Sequence, residues 1–271
     1  MATQIWQGST GDWDTGGNWS GAAKPGNNDT VIFPASNEQA VTTGHTDENA
    51  IDPDLIHIQE GYDSDIGGSG SELYISGDLI RHEGGGALWL KAGDNAVDEI
   101  VINTQPAAAG ATNATLIGTG TTDYSKIVVL RGRVTLGANM AEAGAGMTLI
   151  VGKRNNVTGD AIVTAGSGTT YLVVRQYGGT LTNESAITTL EMTNGVLSQD
   201  TATITTVNMT GGVLNYLFGG TIATVNLYGG LFDPTRSGVA KTVTTLNVYG
   251  GEYRDNSLTT YTTINDYRKA A

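Results

Sequence analysis

The stretch Ile187-Thr-Thr-Leu190-Glu-Met192-Thr-Asn-Gly195-Val-Leu197 returns as Ile204-Thr-Thr-Val207-Asn-Met209-Thr-Gly-Gly212-Val-Leu214 and again as Ile222-Ala-Thr-Val225-Asn-Leu227-Tyr-Gly-Gly230-Leu-Phe232. A fourth copy reads Val243-Thr-Thr-Leu246-Asn-Val248-Tyr-Gly-Gly251-Glu-Tyr253, and a fifth, Tyr261-Thr-Thr-Ile264-Asn-Asp266-Tyr267, stops before its glycines. The copies begin 17, 18, 21 and 18 residues apart, so a core phrase is fixed while a loop varies. Self-similarity at such a period marks a solenoid.

Within each copy, Leu190/Met192, Val207/Met209, Val225/Leu227 and Leu246/Val248 alternate with Glu191, Asn208, Asn226 and Asn247. That is the period-2 pattern of a strand with one buried face. The Asn-Gly or Gly-Gly pair permits a positive-φ corner, after which Leu197, Leu214, Phe232 and Tyr253 offer a second inward position. The phase slips between Ile187 and Leu190, which predicts a bend in the Thr-Thr pair and three short edges per turn. A unit of about 18 residues has no room for a helix and cannot bury its apolar face alone; stacking the units buries it continuously. The expected fold is all-β, a single-stranded parallel β-helix. The absence of a hexapeptide rhythm favours the right-handed form. Leu190, Val207, Val225, Leu246 and Ile264 should form one internal column, flanked outside by a Thr column (189, 206, 224, 245, 263) and an Asn column (208, 226, 247, 265), at about 4.8 Å per coil.

Composition agrees. Charged residues make up 15 % of the chain, against an ordinary ~25 %, and 39 of 271 residues are glycine. The net charge of −13, with no cluster of Lys or Arg, argues against a nucleic-acid partner. There is no cysteine, hence no disulfide and no thiolate metal site. Met1-Ala-Thr-Gln-Ile-Trp6 has neither a basic stretch nor an apolar run, so a leader is not expected. No run of about 18 apolar residues predicts a membrane span.

Three of the four tryptophans, Trp6, Trp13 and Trp19, fall within the first 19 residues. They could stack on sugar rings, but the favoured reading is an aromatic cap on the first coil. Residues 1–49 are therefore expected to form the cap and first strands, 50–267 a β-helix of about ten coils, and 268–271 a tail. Strands are expected at Leu55–Ile58, Leu73–Ile75, Ala87–Leu90, Glu99–Ile102, Ala114–Ile117, Lys126–Val129, Met147–Val151 and Ala161–Thr164. Tyr171 to Leu181 fits the later template with Gln176 at an apolar position. The fifth copy places Asp266 where earlier copies are apolar, as a terminal coil would.

The opening motif, Gly11-x-Trp13, Asn18-Trp19-Ser20 and Pro25-Gly-x-x-Asp29-x-Val31-x-Phe33, resembles the start of many bacterial secreted and phage-borne parallel β-helix proteins. The resemblance covers about 30 residues and implies the architecture, with Asp29 as a turn residue. It implies little about activity. Phage members need no export signal.

Candidate sites are sparse. Asp63-Ser-Asp65 has the start of a calcium loop without its later ligands, so Asp63 and Asp65 are more simply an acidic turn. His45, His57 and His82 lack metal-site spacing. Glu191 with Asp200, or Asp233 with Glu252 and Asp255, are the carboxylates nearest to a glycosidase pair, yet no spacing singles one out. Gly67–Gly70 and Gly84–Gly86 precede no helix that could receive a phosphate. No catalytic residue, cofactor or metal is expected. The expected function is a non-enzymatic structural protein of a phage virion, a capsid decoration or cement protein made in the host cytoplasm and displayed on the particle surface. It would bind the major capsid protein or another virion protein as a homo-oligomer, a trimer, through Tyr228, Tyr249 and Tyr267. The alternatives are a tail-spike-like polysaccharide-binding or depolymerising β-helix and an extracellular bacterial adhesin.

Overall fold

A computed structural model describes residues 1–118, 123–140, 146–153 and 161–268. The chain forms two compact units, residues 1–145 and 146–271. Both are parallel β-solenoids, in which each strand pairs with the strand one coil before and one coil after; a short 3-10 turn at Gly16–Asn18 is the one helical element among the described residues.

In the second unit the repeat is read out coil by coil. Strands Met147–Val151, Thr170–Gln176, Ala186–Met192, Ile204–Met209, Thr221–Leu227, Lys241–Val248 and Thr259–Asp266 stack in one sheet. Leu190 pairs with Val207, Val207 with Val225, Val225 with Leu246 and Leu246 with Ile264, the column expected from the sequence. A second column follows the glycine corner, Leu181 to Leu197 to Leu214 to Phe232 to Tyr253. Each fully buried aliphatic residue in these columns contributes roughly 1.5–3 kcal/mol. Ile264 keeps its register but is 43 % exposed, because no described coil lies beyond it. The phase slip at Thr188 is present, since Ile187 and Leu190 are both buried three residues apart, but the strand runs through it unbroken. Two strands per coil therefore replace the three separate edges expected. Of the tail expected at 268–271, only Arg268 falls among the described residues, and its Nη2 meets Asp266 Oδ2 at 2.7 Å.

In the first unit the parallel register begins before residue 50. Thr3–Ile5 pairs with Thr30–Phe33, and Thr30–Phe33 pairs with Leu55–Ile58. The stack continues through Leu79–His82, Glu99–Ile102 and Lys126–Val129. From Leu55 on, four such strands in this unit and seven in the second match the expectation of about ten coils. The strands expected at Ala87–Leu90 and Glu99–Ile102 are fused into Leu88–Asn103, and Leu73–His82 and Tyr124–Leu136 run beyond the spans expected, with a register shift between Ile75 and Gly77 where Leu73–His82 pairs with Leu88–Asn103.

The tryptophans form the cap. Trp6, Trp13 and Trp19 are buried, and Trp19 meets both others edge to face at 4.9 Å. All three reach Phe33, which in turn contacts Tyr62 at 5.4 Å. Edge-to-face pairs are worth about 0.5–1.5 kcal/mol beyond their burial, and no indole of this cluster is left for a sugar. Asp29 is the turn residue expected, its Oδ2 accepting the Gly26 N–H at 3.0 Å.

Val225→Asp should lower the stability of the chain by about 3–5 kcal/mol, because it buries an unpaired carboxylate between Val207 and Leu246. Ile264→Asp, in the same column but exposed, should cost less than about 1 kcal/mol. Urea midpoints of the two variants check the contrast; equal losses would mean that column burial is not what holds the coils.

Candidate functional site

The three histidines and the acids Asp233, Glu191 and Asp65 are engaged within the fold. Asp233 is buried at the corner that starts the longest loop of the repeats. Its carboxylate accepts from the Thr235 N–H at 3.0 Å, the Thr235 hydroxyl at 2.6 Å, Arg236 Nε at 3.0 Å and Arg254 Nη1 at 2.9 Å. Burial works to raise its pKa, but Thr235, Arg236 and Arg254 hold it below the ordinary carboxylate value. With its lone pairs filled, Asp233 has no free oxygen for general acid or base work. Glu252 and Asp255 are exposed. Glu191 pairs with Arg175 of the preceding coil at 2.8 Å, while Asp200 lies past a different strand and is raised by burial and by Glu184.

Asp65 Oδ1 accepts the Ala87 N–H at 2.7 Å, which makes it a turn acid. Neither Asp63 nor Asp65 belongs to a group of three potential metal ligands among the described residues. The one such group is Asp14, Asp47 and Glu48. Its cation is already supplied by the chain, since Lys24 Nζ sits 2.6 Å from Asp14 and 2.7 Å from Glu48. The run Gly84–Gly86 is a packing device: a side chain at Gly84 or Gly86 would collide with the Tyr62 or Ser64 carbonyl.

The histidines have three separate partners. His45 Nε2 lies 2.8 Å from the Ser71 carbonyl, and His57 Nε2 lies 2.9 Å from Glu83 Oε2. His82 occupies an inward column position between Ile58 and Ile102, where its Nε2–H donates to the Asn113 carbonyl at 3.1 Å. Burial pushes its pKa down to about 4. It is therefore a neutral core residue at physiological pH.

The candidate site is on the outer face of the second unit. Tyr228, Tyr249 and Tyr267 each follow the last inward residue of a strand, and each backbone N–H bonds the preceding coil, to Met209, Leu227 and Val248, at 2.8 Å. That places the rings one coil apart. They stack at 4.7 and 4.8 Å with interplanar angles of 8° and 10°, and remain 51 %, 46 % and 49 % exposed. Desolvation by its neighbours, together with the nearby phenols of Tyr228 and Tyr267, raises the pKa of Tyr249.

Two residues back along each strand runs the asparagine column. Asn226 Nδ2 donates to Asn208 Oδ1, Asn247 to Asn226 and Asn265 to Asn247, each at 2.8 Å. Thr206, Thr224, Thr245 and Thr263 form the next column. The stacked rings shield each other's faces, so this surface presents phenol edges and hydroxyls beside amides and threonine hydroxyls. It is an exposed row of aromatic rings flanked by columns of amides and hydroxyls.

The structure also reveals what the sequence did not signal. Trp89, the fourth tryptophan, points outward and lines a groove of about 500 Å³ with Asp65, Thr112, Thr115 and Thr135. Lys241 is buried, its ammonium held by the Tyr216 and Pro234 carbonyls and Ser237 Oγ. Comparison of the chain with protein-family models, curated proteins and solved structures finds no match.

The His82 position makes stability pH-dependent well above the carboxylate range. Its folded pKa, about 4, lies below the ordinary ~6.5, so the folded state excludes a proton that the unfolded chain binds. The contribution is full above pH ~6.5 and is lost as pH falls toward 4, by about 3 kcal/mol at most. Urea midpoints across this window should fall with pH for the native chain and run flatter for His82→Leu.

Proposed function

We propose that the protein is a non-enzymatic structural β-solenoid that docks on a larger protein assembly, and that this assembly is a phage particle which it decorates from outside. The observation that carries the reading is the stack of Tyr228, Tyr249 and Tyr267, three large exposed rings in a row on an otherwise polar wall. Tyrosine is enriched in protein interfaces because it offers a broad rigid surface with a polar tip. The commitment of Asp233 and Glu191 to internal ion pairs supports a structural role over a hydrolytic one. The likeness of residues 11–33 to phage-borne β-helix openings is what points to a virion.

A single strip of this kind gives a modest interface. Repetition around a symmetry axis would raise its effective affinity through avidity, and a trimer seated on a coat protein satisfies that need. Aromatic anchors near the centre of such a contact dominate its energy.

Tyr228→Ser combined with Tyr249→Ser should reduce particle occupancy about tenfold or more while leaving the circular dichroism and the urea midpoint close to those of the native chain. Quantitative mass spectrometry of purified particles reads the occupancy. Unchanged occupancy would remove this face, and absence of the chain from particles would remove the virion reading. Incubated with capsular or plant polysaccharides, the purified protein should release no reducing ends and no unsaturated sugars.

A further inference from the structure

We propose that the groove beside Trp89 in the first unit is a binding site for a neutral pyranose, a hexose residue of an uncharged glycan. This site is separate from the tyrosine strip and does not depend on its role.

The groove arises from the outward register of three coils. Leu88 pairs with Ala114 and Ala114 with Val134 on the inside, so Trp89, Thr115 and Thr135 follow one another on the outside. They span about 10 Å at the spacing of neighbouring strands. One coil earlier Ile66 bridges to Leu88, which puts Gly67 next to Trp89 in the outward column. The indole of Trp89 is half-buried. The loop carrying Gly110 and Thr112 forms one wall, and Asp65 forms the other. The volume of about 500 Å³ falls within the roughly 300–1,000 Å³ of small-molecule sites.

The chemistry of the lining selects the ligand. A pyranose has one face of C–H bonds and a rim of hydroxyls. The half-buried indole offers the flat apolar surface that the C–H face needs. Asp65 is exposed and anchored through Oδ1 to the Ala87 N–H at 2.7 Å, and its Oδ2 has no protein partner among the described residues. A carboxylate in that state accepts hydroxyl protons and donates none. Thr112 and Thr115, whose hydroxyls lie 3.3 Å apart, can each donate or accept, as can Thr135. No Lys, Arg or His lines the groove, and the chain carries a net charge of −13, so phosphates and uronates are disfavoured. Alanine is the only aliphatic residue in the lining, too little for an acyl chain.

Trp6, Trp13 and Trp19 are buried, so Trp89 is the tryptophan whose emission a ligand can change. The test titrates the full chain with oligosaccharides of glucose, galactose, mannose, rhamnose and N-acetylglucosamine, and with an oligogalacturonate, following tryptophan fluorescence and calorimetric heat. At least one neutral oligosaccharide should bind saturably with a change in emission, and the galacturonate should bind more weakly. Trp89→Ala should weaken binding about tenfold or more and Asp65→Asn about tenfold. Thr115→Gln, which fills the groove while keeping the indole, should also abolish the emission change; urea midpoints near the native value confirm that the variants fold. No binding across the panel, binding that survives Trp89→Ala, or preference for the galacturonate would each overturn the proposal.

Discussion

Every coil must lie one strand spacing from the next along its whole path, and the corners are where this is hardest to satisfy. At Gly212, Gly230 and Gly251 the backbone takes φ of +83°, +84° and +68°. A Cβ at these positions would come within 2.8, 2.5 and 2.7 Å of the carbonyl oxygen of Gly195, Gly212 and Gly230 respectively. Any side chain would push two coils apart. The same corner glycines thus set both the turn and the stacking distance, and the inward columns of Leu, Val and Met are continuous only because the corners close.

Continuity of the core also explains the polar groups it tolerates. Gln176 stands in an apolar column between Val151 and Met192, with its Nε2 donating to the Val196 carbonyl at 2.9 Å. Asn183 and Gln199 pair with each other at 2.7 Å and both donate to the Ser185 carbonyl. Lys241 satisfies its three N–H bonds at 2.6, 2.8 and 3.0 Å, and burial lowers its pKa. In each of these cases backbone carbonyls at the coil corners supply acceptors, alone or together with a neighbouring side chain.

The sequence showed most of this fold because a stacked repeat is a one-dimensional problem. Residues separated by one period in the chain are neighbours in space, so the pairing of Leu190 with Val207 or of Tyr228 with Tyr249 could be read by aligning the copies. The first unit has no constant period, and there the fused strands and the early register of Thr3–Ile5 with Thr30–Phe33 were not legible. The tyrosine row was visible as a repeat. Its parallel stacking was not, since that depends on the rotamers of three adjacent rings. Trp89 was hidden for a different reason. A lone aromatic in a short apolar run reads as core, and only the pairing of Leu88 with Ala114 shows that Trp89 faces out. His82 and Lys241 were hidden likewise, because neither residue type announces burial.

The two units use one architecture to make two kinds of surface. Where the repeat is strict, outward positions recur identically, and Thr, Asn and Tyr each extend into a column. Identical side chains at one strand spacing pack or hydrogen-bond to each other, as the three Asn contacts do, and the wall becomes planar. Where the repeat is loose, neighbours in an outward column differ in size: Gly67 is followed by Trp89 and then by Thr115. A large residue between small ones cannot be levelled by its neighbours, and a loop of variable length such as 104–113 adds a wall. Irregular period therefore yields concavity, and concavity is what a small ligand needs. A planar strip, with its many weak and similar contacts, is better matched to a broad partner.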